Sequence, residues 1–215
     1  MQNGLIITLP QCDDATEYLT YYSKLVTKEA EEKGIKIKEI HDDELNLKDF
    51  IKIINKLDYN FVVFNGHGTT SSILGHKSNV ILKVGVNEEL MKDRIIYARS
   101  CNAAVSLGVE CTKNSNGAFI GYIFPFVFYM NEQWSAKPLN DNIAKLFLEP
   151  SNQIPISLIK GNSAKESDIN SKKHILKNIN KILRTPSEPD TPFIVEGLWN
   201  NYLGQVVRGN GSVKI

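Results

Sequence analysis

Three apolar runs dominate the first half of the chain: Leu5-Ile-Ile-Thr-Leu9, Phe61-Val-Val-Phe64 and Ile95-Ile-Tyr-Ala98. Each is short, nearly continuous and bounded by turn-forming or polar residues, the pattern of a strand buried on both faces. Between the first two, apolar residues recur at helical spacing twice. Ala15, Tyr18, Leu19, Tyr22, Leu25, Val26 and Ala30 form one stripe, closed by Gly34, and Leu47, Phe50, Ile51, Ile54 and Leu57 form the other. Ile35 to Ile40 alternates apolar and charged residues, as an edge strand wet on one face does. A β-α-β-α-β succession requires a parallel sheet with right-handed crossovers. The expected architecture is therefore an α/β, three-layer α/β/α sandwich with a mostly parallel sheet, in the order 2-1-3-4-5 with late strands.

Between the third and fourth main strands, Ser72 to Leu74 and Val80 to Val84 predict a hairpin around Gly75–Asn79, followed by a short helix over Asn87 to Lys92. A helix is expected directly after Cys101, and a strand over Gly117 to Ile123. The last third reads differently. Leu139 to Leu148 predicts a helix, and Ser163-Ala-Lys-Glu166 is a capping box opening a longer one with Ile175, Ile179, Ile182 and Leu183 on one face. Thr185 to Pro192 has loop composition, and Phe193 to Val195 and Gln205 to Arg208 are read as late strands. The economical organisation is one domain over residues 1–215, with 139–215 a helical portion packed on the sheet core.

Composition narrows the function classes. With 215 residues, 42% hydrophobic and 23% charged, the chain has the makeup of a globular protein with a substantial core. A net charge of +1 gives no bulk attraction for nucleic acid or an anionic membrane, so neither is expected as a partner. The longest apolar stretch, Ala118 to Met130, contains Pro125 and is too short to span a bilayer. The N-terminus lacks the pattern of a signal peptide. The three cysteines cannot all pair, and none belongs to a CxxC motif; a reducing, cytoplasmic location is expected.

Two of the apolar runs end in chemistry. Phe61-Val-Val-Phe-Asn-Gly-His67-Gly68 ends in an imidazole flanked by glycines, and Ile95-Ile-Tyr-Ala-Arg-Ser-Cys101 ends in a thiol. On neighbouring parallel strands both would emerge at the carboxyl edge of the sheet, where open α/β sheets bind ligands. A cysteine nucleophile with a histidine in reach is the arrangement acyl transfer needs. A helix beginning near Asn102 would further favour the thiolate. The Gly68 and Cys101 amides are the candidate oxyanion hole. Alone, a cysteine after a strand is usually packing; the histidine in register reverses that reading. Cys12 and Cys111 lack such a partner and are read as structural. His41, His76 and His174 are read as surface or locally bonded, with His76 the substitute base should His67 prove buried.

These two motifs, in this order, resemble those of the caspase–gingipain–legumain clan of cysteine peptidases. The Ser-Cys pair looks closer to prokaryotic caspase-like and gingipain-like domains, including the CHAT group, than to animal caspases. The resemblance covers residues from about Asn3 to Met130. It implies a cysteine endopeptidase with Cys101 as nucleophile and His67 as general base or proton donor. It also implies a protein or peptide substrate, with a regulatory protein as a further candidate partner. No metal or organic cofactor is implied, although calcium activates parts of the clan.

In this clan the segment after the first strand often reads the substrate side chain, which makes Asp13 a candidate substrate-binding residue favouring Arg or Lys. Asp14, with Glu17, is read as the cap of the first helix. Arg99 is the competing candidate, favouring acidic substrates. The Phe119 to Phe128 segment, with Phe124, is expected to form one wall of the groove. The basic stripe of Lys173, Lys177, Lys181 and Arg184 is read as a solvated face. The alternative function is a catalytically inactive caspase-like module acting in protein interaction or regulation. An amidase or amidotransferase relative is disfavoured because Arg99-Ser-Cys-Asn-Ala103 is not a Gly-x-Cys-x-Gly elbow, and no GxGxxG or Walker sequence follows Leu9 to support nucleotide binding.

Overall fold

The computed structural model describes residues 1–184 and 190–215. Its elements follow the predicted alternation: β1 (Gln2–Leu9), α1 (Asp14–Glu32), β2 (Lys36–His41), α2 (Leu47–Lys56), β3 (Tyr59–Asn65), the hairpin β4 (Ser72–Leu74) and β5 (Val80–Lys83), β6 (Ile95–Arg99), α3 (Leu107–Thr112) and β7 (Ala118–Tyr122). The chain then runs through α4 (Asn142–Ile159), α5 (Ala164–Leu183), α6 (Thr191–Gly204) and β8 (Gln205–Gly209). The main sheet has six strands in the order β2-β1-β3-β6-β7-β8. All neighbours are parallel except β7 and β8, which are antiparallel. With the hairpin set aside, this is the expected 2-1-3-4-5 order with one late strand.

Period-two alternation sorts the strand residues into two cores. Ile6, Val62, Phe64, Ile96, Ala98 and Phe119 face a layer containing Phe50 and Ile54 of α2, the hairpin and Leu107 of α3. Leu5, Ile7, Phe61, Val63, Tyr97 and Ile120 face the opposite layer, with Val26 and Ala30 of α1 and Ile154 and Leu158 of α4. This is the three-layer sandwich the apolar runs demanded. Gly34, at φ +70°, closes α1 as predicted. The α5 capping box forms: the Ser163 N–H donates to Glu166 Oε2 at 2.7 Å, and the Glu166 N–H donates to Ser163 Oγ at 3.3 Å.

Four expectations need correction. Asp13, not Asp14, caps α1, through its own box with Thr16. The helix predicted to stop at Leu148 continues through Pro150 and Pro155 to Ile159. An interior proline costs about 3 kcal/mol, and here burial of Ile154, Leu158 and Ile159 against the sheet outweighs it. Phe193 to Val195 lies in α6 rather than in a strand, because α6 packs Leu198 against Phe147, Ile175 and Ile179. No helix starts at Asn102; residues 101–106 are turns, and the six-residue α3 begins at Leu107. Most of the predicted loop at Thr185 to Pro192 lies outside the described residues.

Candidate active site

The carboxyl ends of β3 and β6 position the two candidate catalytic residues. Their parallel register ends at the pair Asn65–Arg99, and His67 and Cys101 each lie two residues beyond it. Gly66 turns the chain between Asn65 and His67 at φ +123°, a conformation only glycine adopts readily. Gly68 then packs tightly on the neighbouring strand end. A Cβ there would lie 2.9 Å from the Ser100 Cβ and 3.1 Å from the Cys101 carbonyl oxygen. The backbones beside the imidazole and the thiol are thus in direct contact. The His67 side chain is 51% exposed and Cys101 is half-buried, so solvent reaches both.

Gly68 also makes an antiparallel bridge with Ile73. The hydrogen bonds flanking it run from the Thr69 N–H to the Ser72 carbonyl (2.9 Å) and from the Leu74 N–H to the His67 carbonyl (3.0 Å). In such a pair the Gly68 N–H points away from Ile73. Beyond Cys101 the chain reverses at Asn102, whose φ of +57° is one that asparagine tolerates better than most residues. The Asn102 N–H donates to the Phe124 carbonyl (3.2 Å) and the Ala104 N–H to the Tyr122 carbonyl (3.1 Å). The Cys101 Sγ lies 3.9 Å from the Phe126 carbonyl oxygen.

This flanking strip is itself tied to α6. The Ile123 N–H donates to the Gly204 carbonyl (2.8 Å), and the Asn201 side chain exchanges bonds of 2.9 and 2.6 Å with the Val127 backbone. Asn200 donates to the Pro125 carbonyl at 2.7 Å. Of the aromatics expected to form a groove wall, Phe119 and Tyr122 are core residues, whereas Phe124 is 42% exposed.

His67 has a partner that the sequence reading missed. Its Nε2 lies 2.7 Å from Asp13 Oδ2, while Asp13 Oδ1 accepts the Thr16 N–H at 2.8 Å. Partial burial raises the Asp13 pKa, but the hydrogen bonds from His67 and Thr16 outweigh it and leave the carboxyl below its ordinary value of 3.8. The sequence context predicts the cap at Asp14 and a substrate contact at Asp13, whereas Asp13 itself makes the cap. The only signal for its third role was its place just past β1, the strand beside β3.

Arg99, the competing recognition candidate, is a buried residue. It is 1% exposed and lies beneath the site. Its Nε and Nη2 donate to Asn65 Oδ1 (3.0 and 2.6 Å), its Nη1 to Ser151 Oγ and Asn152 Oδ1 (3.1 and 2.9 Å), and Nη2 also to Ser23 Oγ (2.8 Å) and the Leu19 carbonyl (3.3 Å). One guanidinium thus joins β3, β6, α1 and α4. Burial lowers its pKa. In sequence, a charge two residues before the thiol resembles a recognition group, because nothing there marks the five neutral acceptors that converge on it.

The other cysteines separate. Cys111 is buried, and burial pushes its thiol up to about 12, consistent with a packing role. Cys12, read as partnerless, is exposed, with its Sγ 3.2 Å from His76 Nδ1. Among the described residues, no helix is long and apolar enough to cross a membrane.

The chain is similar in structure to the Arg-specific cysteine proteinase gingipain R, at 11% sequence identity and a TM-score of 0.64, over 99% of this chain and 47% of that one. It is also similar to a complex of the pro- and mature domains of RgpB from Porphyromonas gingivalis, at 10% identity and a TM-score of 0.62, over 99% of this chain and 48% of that one. The chain therefore spans about half the length of the solved chains it matches. The likeness shows a caspase-like α/β fold. No protein-family model and no curated protein matches the sequence.

Proposed function

We propose that this chain is a cysteine endopeptidase working through Cys101 and His67. The supporting observation is the close contact of the two strand ends. The Gly68 backbone sits against that of Cys101, so thiol, imidazole and two backbone amides share one rim of the sheet. The Cys101 thiolate attacks the scissile carbonyl carbon, and the Gly68 and Cys101 N–H groups stabilise the oxygen as it gains charge. His67 gives a proton to the departing amine as the carbon–nitrogen bond breaks. Water then hydrolyses the thioester and regenerates the thiol.

Asp13 is a positioning residue in this scheme. Its bond to Nε2 fixes the ring and leaves Nδ1 as the nitrogen that would exchange the proton. Each Asp13 oxygen already accepts one bond, yet the side chain is 44% exposed and keeps lone pairs that a basic substrate side chain could share. Phe124 is the proposed groove-wall residue. The proposed substrate is a protein or peptide, handled by a single domain over residues 1–215.

One observation favours the second reading, an inactive caspase-like module. The polar contact of the Cys101 sulfur is the Phe126 carbonyl. A peptide library incubated with wild type and Cys101→Ala separates the two. Cleavage by wild type alone supports the peptidase, and identical blanks support the module.

A further inference from the structure

Three loops meet at the same edge of the sheet, beside the proposed peptidase site but distinct from it. The β1–α1 loop brings Cys12, the turn after β2 brings Asp42, and the loop joining β4 to β5 brings His76. Cys12 Sγ lies 3.2 Å from His76 Nδ1, and His76 Nδ1 lies 3.4 Å from Asp42 Oδ1. The three donor atoms all lie within 4.8 Å of one another. Cys12 is exposed and the other two are half-buried, so the cluster is open to an ion from solvent.

The geometry points to a divalent zinc-class cation bound by Cys12, Asp42 and His76. Zinc takes thiolate at about 2.3 Å, imidazole nitrogen at about 2.0–2.1 Å and carboxylate oxygen at about 2.0–2.2 Å. A tetrahedral ion with those bonds holds its ligand atoms about 3.3–3.7 Å apart, so the 3.2 and 3.4 Å spacings about His76 need only small adjustments. The third, within 4.8 Å, closes by a movement of the exposed Cys12 side chain. One thiolate with one imidazole and one carboxylate suits zinc rather than calcium or magnesium, which prefer oxygen alone. Three protein ligands leave a fourth position for water or for a ligand from another molecule.

The loops are held ready for this. Gly75 has no room for a side chain, because a Cβ would lie 2.3 Å from the Leu45 carbonyl oxygen. That close approach, with the His76 N–H donating to the same carbonyl at 3.2 Å, fixes His76 beside the turn that carries Asp42. The Gln11 N–H donates to Asp42 Oδ1 at 2.8 Å and so ties the Cys12 loop to the same turn. On binding, the Cys12 thiol releases its proton to the buffer and a metal–sulfur bond forms, with no change of oxidation state. Cys12 immediately precedes Asp13, so an ion here would immobilise the backbone that orients His67.

Cobalt(II) serves as the spectroscopic probe because a thiolate ligand gives it a near-ultraviolet charge-transfer band. Wild type and Cys101→Ala should each take up one cobalt with that band, and zinc should displace it. Cys12→Ser should lose the band. His76→Ala and Asp42→Asn should bind roughly tenfold or more weakly, since even groups behind a ligand contribute about 10–100-fold to metal affinity. Because Cys12 is exposed, Cys12→Ser should melt without metal at the wild-type temperature, and zinc should stabilise wild type and Cys101→Ala but not Cys12→Ser. No band in wild type, or a band that survives in Cys12→Ser and vanishes in Cys101→Ala, would overturn the proposal. Neither outcome depends on whether the chain cleaves peptides.

Discussion

The molecule carries two cysteine–histidine pairs at one edge of its sheet, and they differ in what holds them. Cys101 and His67 are set by the strands themselves, with Gly68 packed on Ser100 and Cys101 and the buried Arg99 network tying the two strand ends. Cys12 and His76 are set by loops, touch through their side chains and have a carboxylate close by. The first arrangement packs glycine backbone against the strand end that carries the thiol, and under the proposed function its amides would serve a developing oxyanion. The second surrounds one point with three ligand atoms, which suits a cation. The same two residue types thus support different chemistry according to whether amides or side chains complete the surroundings.

The strongest test of this contrast is removal of one thiol at a time. Cys101→Ala should lower peptide cleavage by at least about 10³-fold, as loss of a nucleophile does, while Cys12→Ser should leave cleavage within a few fold. Equal losses in a peptide-hydrolysis assay would erase the distinction. Next in size is the support beneath the first pair. Arg99→Met would strand buried acceptors on Asn65, Ser151 and Asn152, and chemical denaturation should show a loss of about 3–5 kcal/mol.

A smaller effect is expected for Asp13→Asn, which keeps a good helix cap but removes the charge facing His67. Its kcat should fall roughly tenfold, part of the about 10²–10⁴ that a proton-transfer residue supplies. The same carboxyl has a folded pKa below 3.8, so its stabilising effect is complete above that value. Acid titration should show the effect fading as pH falls through the lower folded value, and Asp13→Asn should flatten that limb.

The smallest effect belongs to a histidine outside both pairs. Burial lowers the His174 pKa below 6.5, Lys177 adds to the shift and Glu149 opposes it. Its stabilising effect is therefore complete above about pH 6.5 and is lost as pH falls through the folded value. Thermal melts of His174→Gln should show a shallower decline in that range, with both cysteine pairs intact.

The placement of His67 and Cys101 past neighbouring strand ends was legible because strand periodicity reports directly on sheet position. Once Phe61–Phe64 and Ile95–Ala98 are adjacent parallel strands, the residues just past their ends must be neighbours. The second pair was not legible. Cys12, Asp42 and His76 come from three connections whose paths depend on packing, such as the contact of Gly75 with Leu45, that leaves no periodic trace. The same blindness hid the Asp13 cap, the Asp13–His67 contact and the burial of Arg99, since a charged residue near a site reads alike whether it faces solvent, a neighbouring ring or the interior. Phe193 to Val195 failed for another reason: a β-branched run looks like a strand until a neighbouring helix offers it a face.

The hydrogen bonds from α6 to residues 123–127 give the C-terminal third a reach beyond its own packing. Through Asn200, Asn201 and Gly204, α6 works as a clasp on the jaw beside Cys101, although it contributes no residue to the proposed chemistry. A binder that pried α6 away would slacken residues 123–127 from behind, without touching Cys101 or His67.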